Sequence, residues 1–288
     1  MIPARSAAGA SGTVDPRVPA SAASAHERNR AGDFEPLPPI NAPLANTYAL
    51  LKQRADHNDG HAACRLAVDL ISCRNLPLLQ MVADGPDGEN EAMFAKQGNL
   101  EAANAFAEMK LASIRARQRC EGITPAQTAR ASVYLKQAAQ AGIGDAVVRY
   151  ADGQGFDPRG MFGVLRDPGF DAWRREARAM ALRALRQGNR DAAQLLWLAY
   201  SGDYSLFGGL VADDAVQSQA YRVLLDRLYG RTTRPSPALS ARQEQEAEAT
   251  GERMHRQYFD GRIFPAADNP SSVVSGLSQL TDSAAACE

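Results

Sequence analysis

From about residue 45 to residue 258, apolar residues recur every three or four positions and no run alternates with period two. That is the pattern of helices with one buried face. Ala131, Leu135, Ala138 and Gly142 step by 4, 3 and 4, and Ala177, Ala181, Ala184 and Gly188 repeat those steps. Ala, Leu, Arg and Gln, all strong helix formers, dominate this stretch, while Val and Ile are sparse. Thr124-Pro125-Ala126-Gln127 combines a cap, a first-turn proline and a capping-box glutamine. Asp171, and Ser236 ahead of Pro237, mark two more helix starts. Gly142, Gly188 and Gly230 stand where helix ends need a left-handed residue. The chain therefore reads as all-α.

Within that stretch the sequence repeats. Three segments align at shifts of 84 and then 46 residues, around Asn58, Gly142 and Gly188. Each has a small-residue helix face before the anchor, then an acid or His (His61, Asp145, Asp191), an Ala (Ala62, Ala146, Ala192) and a Leu or Tyr (Leu66, Tyr150, Leu196). Gln97-Gly98-Asn99 echoes Gln187-Gly188-Asn189, which spaces the anchors by 40, 44 and 46. Physically, the Gly or Asn ends one helix, the acid or His caps or favours the start of the next, and the small faces let the two approach. Each unit is a hairpin with too little core of its own, and stacking several buries a continuous core. The segment Glu89–Arg119 admits two readings, a fourth hairpin broken at Gly98 or a nearly continuous helix that tolerates the glycine. We expect a helical insertion rather than a regular repeat.

This pattern resembles the Sel-one-like repeats, relatives of the tetratricopeptide repeats. Ala138-Ala139-Gln140-Ala141-Gly142, Ala146, Tyr150, Gly153 and Gly155 carry the likeness, followed by Leu185, Gly188, Ala192, Leu196, Tyr200 and Gly202. The resemblance covers about residues 45–230. It implies stacked antiparallel helical hairpins forming a short α-solenoid that binds proteins, often at the bacterial envelope and mostly without catalysis. Trp197 stands where the family carries a small residue, so the helices must spread or the ring must turn outward. Long spacings require insertions around 156–170 and 203–212. The last helix, about Ser236 to Arg256, is crowded with Glu, Gln and Arg and suits the polar cap of such an array.

The ends differ in composition. Seven of the 16 prolines fall in residues 1–43, among Ala, Ser and Gly, which bury too little area to offset ordering entropy. We read 1–43 as a disordered leader, 44–260 as the repeat domain and 261–288 as a disordered tail in which the strip Ser272 to Leu280 has some docking capacity. No signal-peptide core of about 7–15 apolar residues follows Met1. We expect a periplasmic or envelope protein whose natural precursor starts earlier, with a cytoplasmic protein as the alternative.

Four cysteines bear on that choice. Cys64 and Cys73, nine residues apart on one predicted helix, lie about 13 Å apart and cannot pair. Cys73 and Cys120 each end a predicted helix and form a plausible bridge, and some cysteine-rich relatives of the repeat family tie their helices with disulfides. The alternative is three buried reduced thiols. Cys64 reads as a core thiol and Cys287 as incidental.

Net charge is −1, from 32 Lys+Arg and 33 Asp+Glu, and gives no electrostatic case for nucleic acid. No stretch approaches the ~18–20 uninterrupted apolar residues of a membrane span. Lipase-type, phosphate-loop and zinc-protease motifs are all absent from the sequence. His57, His61 and Cys64 share eight residues, but Asn58-Asp59-Gly60 breaks the helix between the histidines and no fourth ligand follows, so no metal or cofactor is expected. The cations Lys110, Arg115, Arg117, Arg119 and Arg174, Arg175, Arg178, Arg183, Arg186 read as solvated faces, with a strip for an acidic partner as the alternative. Trp197, Tyr200, Tyr204 and Phe207 cluster after the third unit, either as core or as aromatic anchors for a peptide or protein partner. The expectation is a non-catalytic scaffold for protein–protein interaction. The alternatives are a cell-wall-associated enzyme or binding protein on the same scaffold, and a purely structural, disulfide-stapled periplasmic protein.

Overall fold

The computed structural model describes residues 35–84, 90–157, 163–202, 205–265 and 287, and among them every regular element is helical. The helices are α1 (Leu44–Asp56), α2 (Gly60–Asp84), α3 (Asn90–Lys96), α4 (Leu100–Cys120), the single turn α5 (Pro125–Thr128), α6 (Ala131–Gln140), α7 (Gly144–Asp152), α8 (Phe170–Arg186), α9 (Arg190–Tyr200), α10 (Ala215–Leu228) and α11 (Ala241–Phe259). Short 3-10 turns at Val164–Arg166 and Gly208–Leu210 fill the two regions where insertions are expected. Most helices pack on the next in sequence, as α1 on α2, α3 on α4, and α6 through α11 in succession, while α2 also packs against α4 and α6.

Four hairpin turns share one geometry. Asn58, Gly98, Gly142 and Gly188 are all left-handed, with φ of 66, 73, 86 and 82°. At each, the anchor amide donates to the carbonyl three residues back and the following amide donates five back, as in Gly142 to Ala139 and Ile143 to Ala138. Two otherwise orphaned carbonyls at the helix end are satisfied in this way. The capping residue differs from the sequence expectation. Asp59, Asn99 and Asn189, immediately after the anchor, accept the Ala62, Ala102 and Ala192 amides at 3.0–3.1 Å. The acids or His two positions further on lie inside the first turn, where a cap oxygen no longer reaches. Ala146, Ala192 and Leu196 are fully buried and Tyr150 nearly so.

The break at Gly98 also corrects the expectation of a near-continuous helix over 89–119. Glycine takes the left-handed turn without a Cβ penalty, Asn99 caps α4, and Phe94 and Phe106 stack across the hairpin at 5.3 Å. Helix α3 buries no side chain.

Helix α2 is the centre of the packing. It runs 25 residues through Pro77, so Cys73 lies inside it rather than at its end. Proline lacks the N–H that the Cys73 carbonyl would accept, and this bends a helix without ending it. Arg65 and Asp69 form an ion pair one turn apart at 2.8 Å, each side chain 2% exposed, and the Arg65 guanidinium also donates to the Pro38 and Pro39 carbonyls. Arg119 approaches Asp69 at 3.8 Å, so this member of the basic strip is not a solvated one. Gly60–Ala83 is long and apolar enough to cross a membrane by length and composition, and 56% of that window is buried inside the protein.

Two disulfides anchor this helix, Cys73–Cys120 and Cys64–Cys287. The second corrects the reading of Cys64 as a core thiol and Cys287 as incidental. Cys287 is fully buried, and its carbonyl meets His61 Nδ1 at 2.6 Å. Two disulfides point to an oxidising compartment. Tyr204, Ser272 to Leu280 and the leader up to residue 34 lie outside the described residues.

Candidate functional site

Helices α9 and α10 and the segment that follows α10 enclose a cleft of about 480 Å³. Helix α9 starts at the Asn189 cap, and its 3.6-residue period puts Trp197 and Tyr200 on one face. After α9 the chain turns back, and the Asp214 amide donates to the Tyr200 carbonyl at 3.2 Å. Asp214 then caps α10 by accepting the Val216 and Gln217 amides at 3.0 Å. Tyr200 stacks on buried Tyr221 of α10 at 5.6 Å, and its hydroxyl accepts from Arg178 at 3.0 Å. Burial of Tyr221 pushes its phenol up to about 12, so that ring stays neutral.

The far wall is Arg234-Pro235-Ser236-Pro237. We expected a helix to start at Ser236, but α11 starts at Ser240, whose side chain and Gln243 form a capping box. Pro237 and the turn after it leave 231–237 without regular structure. Buried Gln219 holds this wall, donating to the Arg234 carbonyl at 3.0 Å and to Glu244 Oε2 at 3.2 Å. The other Glu244 oxygen accepts the Ser236 amide. The wall is thus fixed from beneath by two polar side chains.

Of the four aromatic candidates, the structure brings Trp197 and Tyr200 into this cleft. Trp197 is half-buried and lines the cleft. Phe207 is fully buried in the core and does not line the cleft. Sequence reasoning missed Arg222, Arg234 and Gln219. The available signal was the Pro-Ser-Pro at 235–237, which marks a stiff extended stretch as readily as a helix start.

A second, smaller cavity of about 190 Å³ lies between α6 and α8, beside Tyr150, Phe156 and Trp173. Phe156 meets Trp173 edge-on at 5.4 Å, and the Trp173 indole N–H donates to the Tyr150 carbonyl at 2.8 Å. Glu176 accepts from Lys136 at 2.8 Å and from the Tyr150 hydroxyl. Burial works to raise the Glu176 pKa, but the hydrogen bonds from Lys136 and Tyr150 outweigh it and hold it below the ordinary value. Burial, followed by that same hydrogen bond, pushes Tyr150 far up. A carboxylate kept charged and a phenol kept neutral suit a lock between α6, α7 and α8.

The His57, His61, Cys64 group does not converge. His57 Nδ1 meets the Gln53 carbonyl and His61 Nδ1 the Cys287 carbonyl. Cys64, Cys287 and Asp145 place ligand atoms within 4.8 Å of one another, but both sulfurs are consumed in their disulfide. Compared with family models, curated proteins and solved structures, the chain matches none.

Proposed function

We propose that the chain is a non-catalytic scaffold, its hairpins stacked as a short α-solenoid of the Sel-one-like kind, that docks a segment of another protein in the α9–α10 cleft. The observation that carries this reading is the cleft itself. A half-buried Trp and a stacked Tyr floor a concavity whose far wall is held by buried Gln219. Such anchors concentrate binding energy, and a fixed wall lowers the ordering that docking requires. The recurring left-handed hairpin turns support the repeat reading, and the two disulfides support placement in the periplasm or envelope.

A photo-crosslinking amino acid at Ser218, inside the cleft, tests the reading when the full chain is produced in its native cell. The expected result is one dominant adduct that disappears in Trp197→Leu. Equal, diffuse labelling from exposed Glu246 and from Ser218 would overturn it. That result would favour a purely structural role, for which the two disulfides are the supporting observation.

A further inference from the structure

The scaffold reading leaves open what chemistry the docked segment carries. We propose that the cleft takes a peptide segment with side-chain carboxylates next to an apolar or aromatic residue, an inference that rests on the scaffold reading and specifies its ligand.

The charges carry the argument. Arg222 and Arg234 both line the cleft and are exposed. Among the described residues neither guanidinium has a hydrogen bond or an ion pair. Other arginines of this chain are engaged by carboxylates, as Arg65 is by Asp69, Arg149 by Asp145 and Arg227 by Glu252. Among the described residues of the lining Asp213 is the one acid, and the Glu244 carboxylate behind the wall is already engaged by Gln219 and the Ser236 amide, so the two arginines form the cationic side of the cleft. A guanidinium fork pairs with carboxylates in two parallel hydrogen bonds.

The floor adds the second requirement. Trp197 and Tyr200, the latter backed by buried Tyr221, offer flat apolar surface beside those cations, so a ligand of charge alone would leave it uncovered. A bare phosphate group is disfavoured by the helix end nearby. The first-turn amides of α10 at Val216 and Gln217 are occupied by the Asp214 carboxylate, so the usual anion seat of a helix N-terminus is filled from within. The volume, about 480 Å³, falls within the ~300–1,000 Å³ range of specific ligand sites.

The test uses the oxidised full chain and a random library of displayed peptides, with binding of selected peptides read by fluorescence. The protein has two tryptophans, and Trp173 is 1% exposed, so quenching by acrylamide reports Trp197. We expect selected peptides to be rich in Asp or Glu beside an aromatic or aliphatic residue and to shield Trp197. Their binding should weaken about tenfold in Arg222→Ser/Arg234→Ser and further as salt rises. Arg117→Ser, which removes an exposed cation on α4 outside the cleft, is the control and should bind as wild type does. Peptides that shield Trp197 but show no acidic bias, or that bind the double variant equally well, overturn this inference and leave the scaffold reading standing. Peptides that leave Trp197 unshielded, or a selection that yields no binder, overturn both.

Discussion

The side-chain amide of Gln219 reaches the Glu244 carboxylate at 3.2 Å, which joins α10 to the first turn of α11 beneath the cleft wall. Gln219→Leu removes that donor while keeping most of the volume, and leaves the Arg234 carbonyl and Glu244 short of a partner. We expect a loss of about 1–3 kcal/mol in urea unfolding, together with increased acrylamide quenching of Trp197 as the wall loosens. Unchanged stability and unchanged quenching would refute the role given to Gln219.

The left-handed turns predict substitutions of opposite sign. Gly142 has φ of 86° and open space where a Cβ would stand, so Gly142→Ala meets only backbone strain, about 1 kcal/mol. Asn58 holds φ of 66°, and Asn58→Gly relieves that strain at the same kind of turn. Gly251→Ala is worse than either, because its Cβ would sit 2.6 Å from the Ala220 carbonyl and from Val223. The expected order of melting temperature is Gly251→Ala, then Gly142→Ala, then wild type, with Asn58→Gly at or above wild type. Thermal denaturation followed by circular dichroism measures it.

Two carboxyl groups give stability opposite dependences on pH. Glu176 has its folded pKa below the ordinary 4.5, so its contribution is in place above that value and is lost as pH falls through the folded one. Since Glu176 and Lys136 are each about a third exposed, the contribution is at most about 1 kcal/mol. Asp69 has its folded pKa raised above 3.8, first by burial, against the opposing pull of Arg65 and Arg119. Its contribution is in place below 3.8 and is lost as pH rises through the folded value. Urea unfolding between about pH 3 and 6 should show a shallower acid decline for Glu176→Gln. The stability gap between wild type and Asp69→Asn should narrow as pH rises. Parallel profiles for all three proteins would contradict the assignment.

The disulfides predict their own map. Peptide mass spectrometry of protein alkylated at lysis, without reduction, should return Cys64–Cys287 and Cys73–Cys120. Removing either pair as Cys→Ser is expected to destabilise the fold by about 2–4 kcal/mol. Free thiols in natively produced protein would remove the support for an oxidising compartment.

Legibility from sequence followed how local each signal is. The four hairpin turns were readable because a left-handed helix end requires Gly or Asn, and the adjacent residues confirm the site within a few positions. Of the two roles read for the acids, Asp145 and Asp191 hold the first-turn one, while the cap oxygens come from Asp59, Asn99 and Asn189, since periodicity fixes a face more firmly than a boundary. The Arg65–Asp69 pair was also local, one helical turn, and went unread because a charge pair at that spacing looks the same on an exposed face. The bond between Cys64 and Cys287 spans 223 positions, and no pattern between them announces it. The cleft was half-readable. Trp197 and Tyr200 share a helix face, but Arg222 and Arg234 join them only because Gln219 and Glu244 fold the 231–237 stretch back over α10.

The two covalent links have a topological consequence. Cys64–Cys287 closes residues 64–287 into one ring, and Cys73–Cys120 closes a smaller ring inside it. A protease that cuts once anywhere between residues 65 and 286 therefore opens a ring and releases nothing. The nicked chain keeps all its pieces until a second cut or a reductant arrives, so this protein can be clipped in a loop and remain a single molecule.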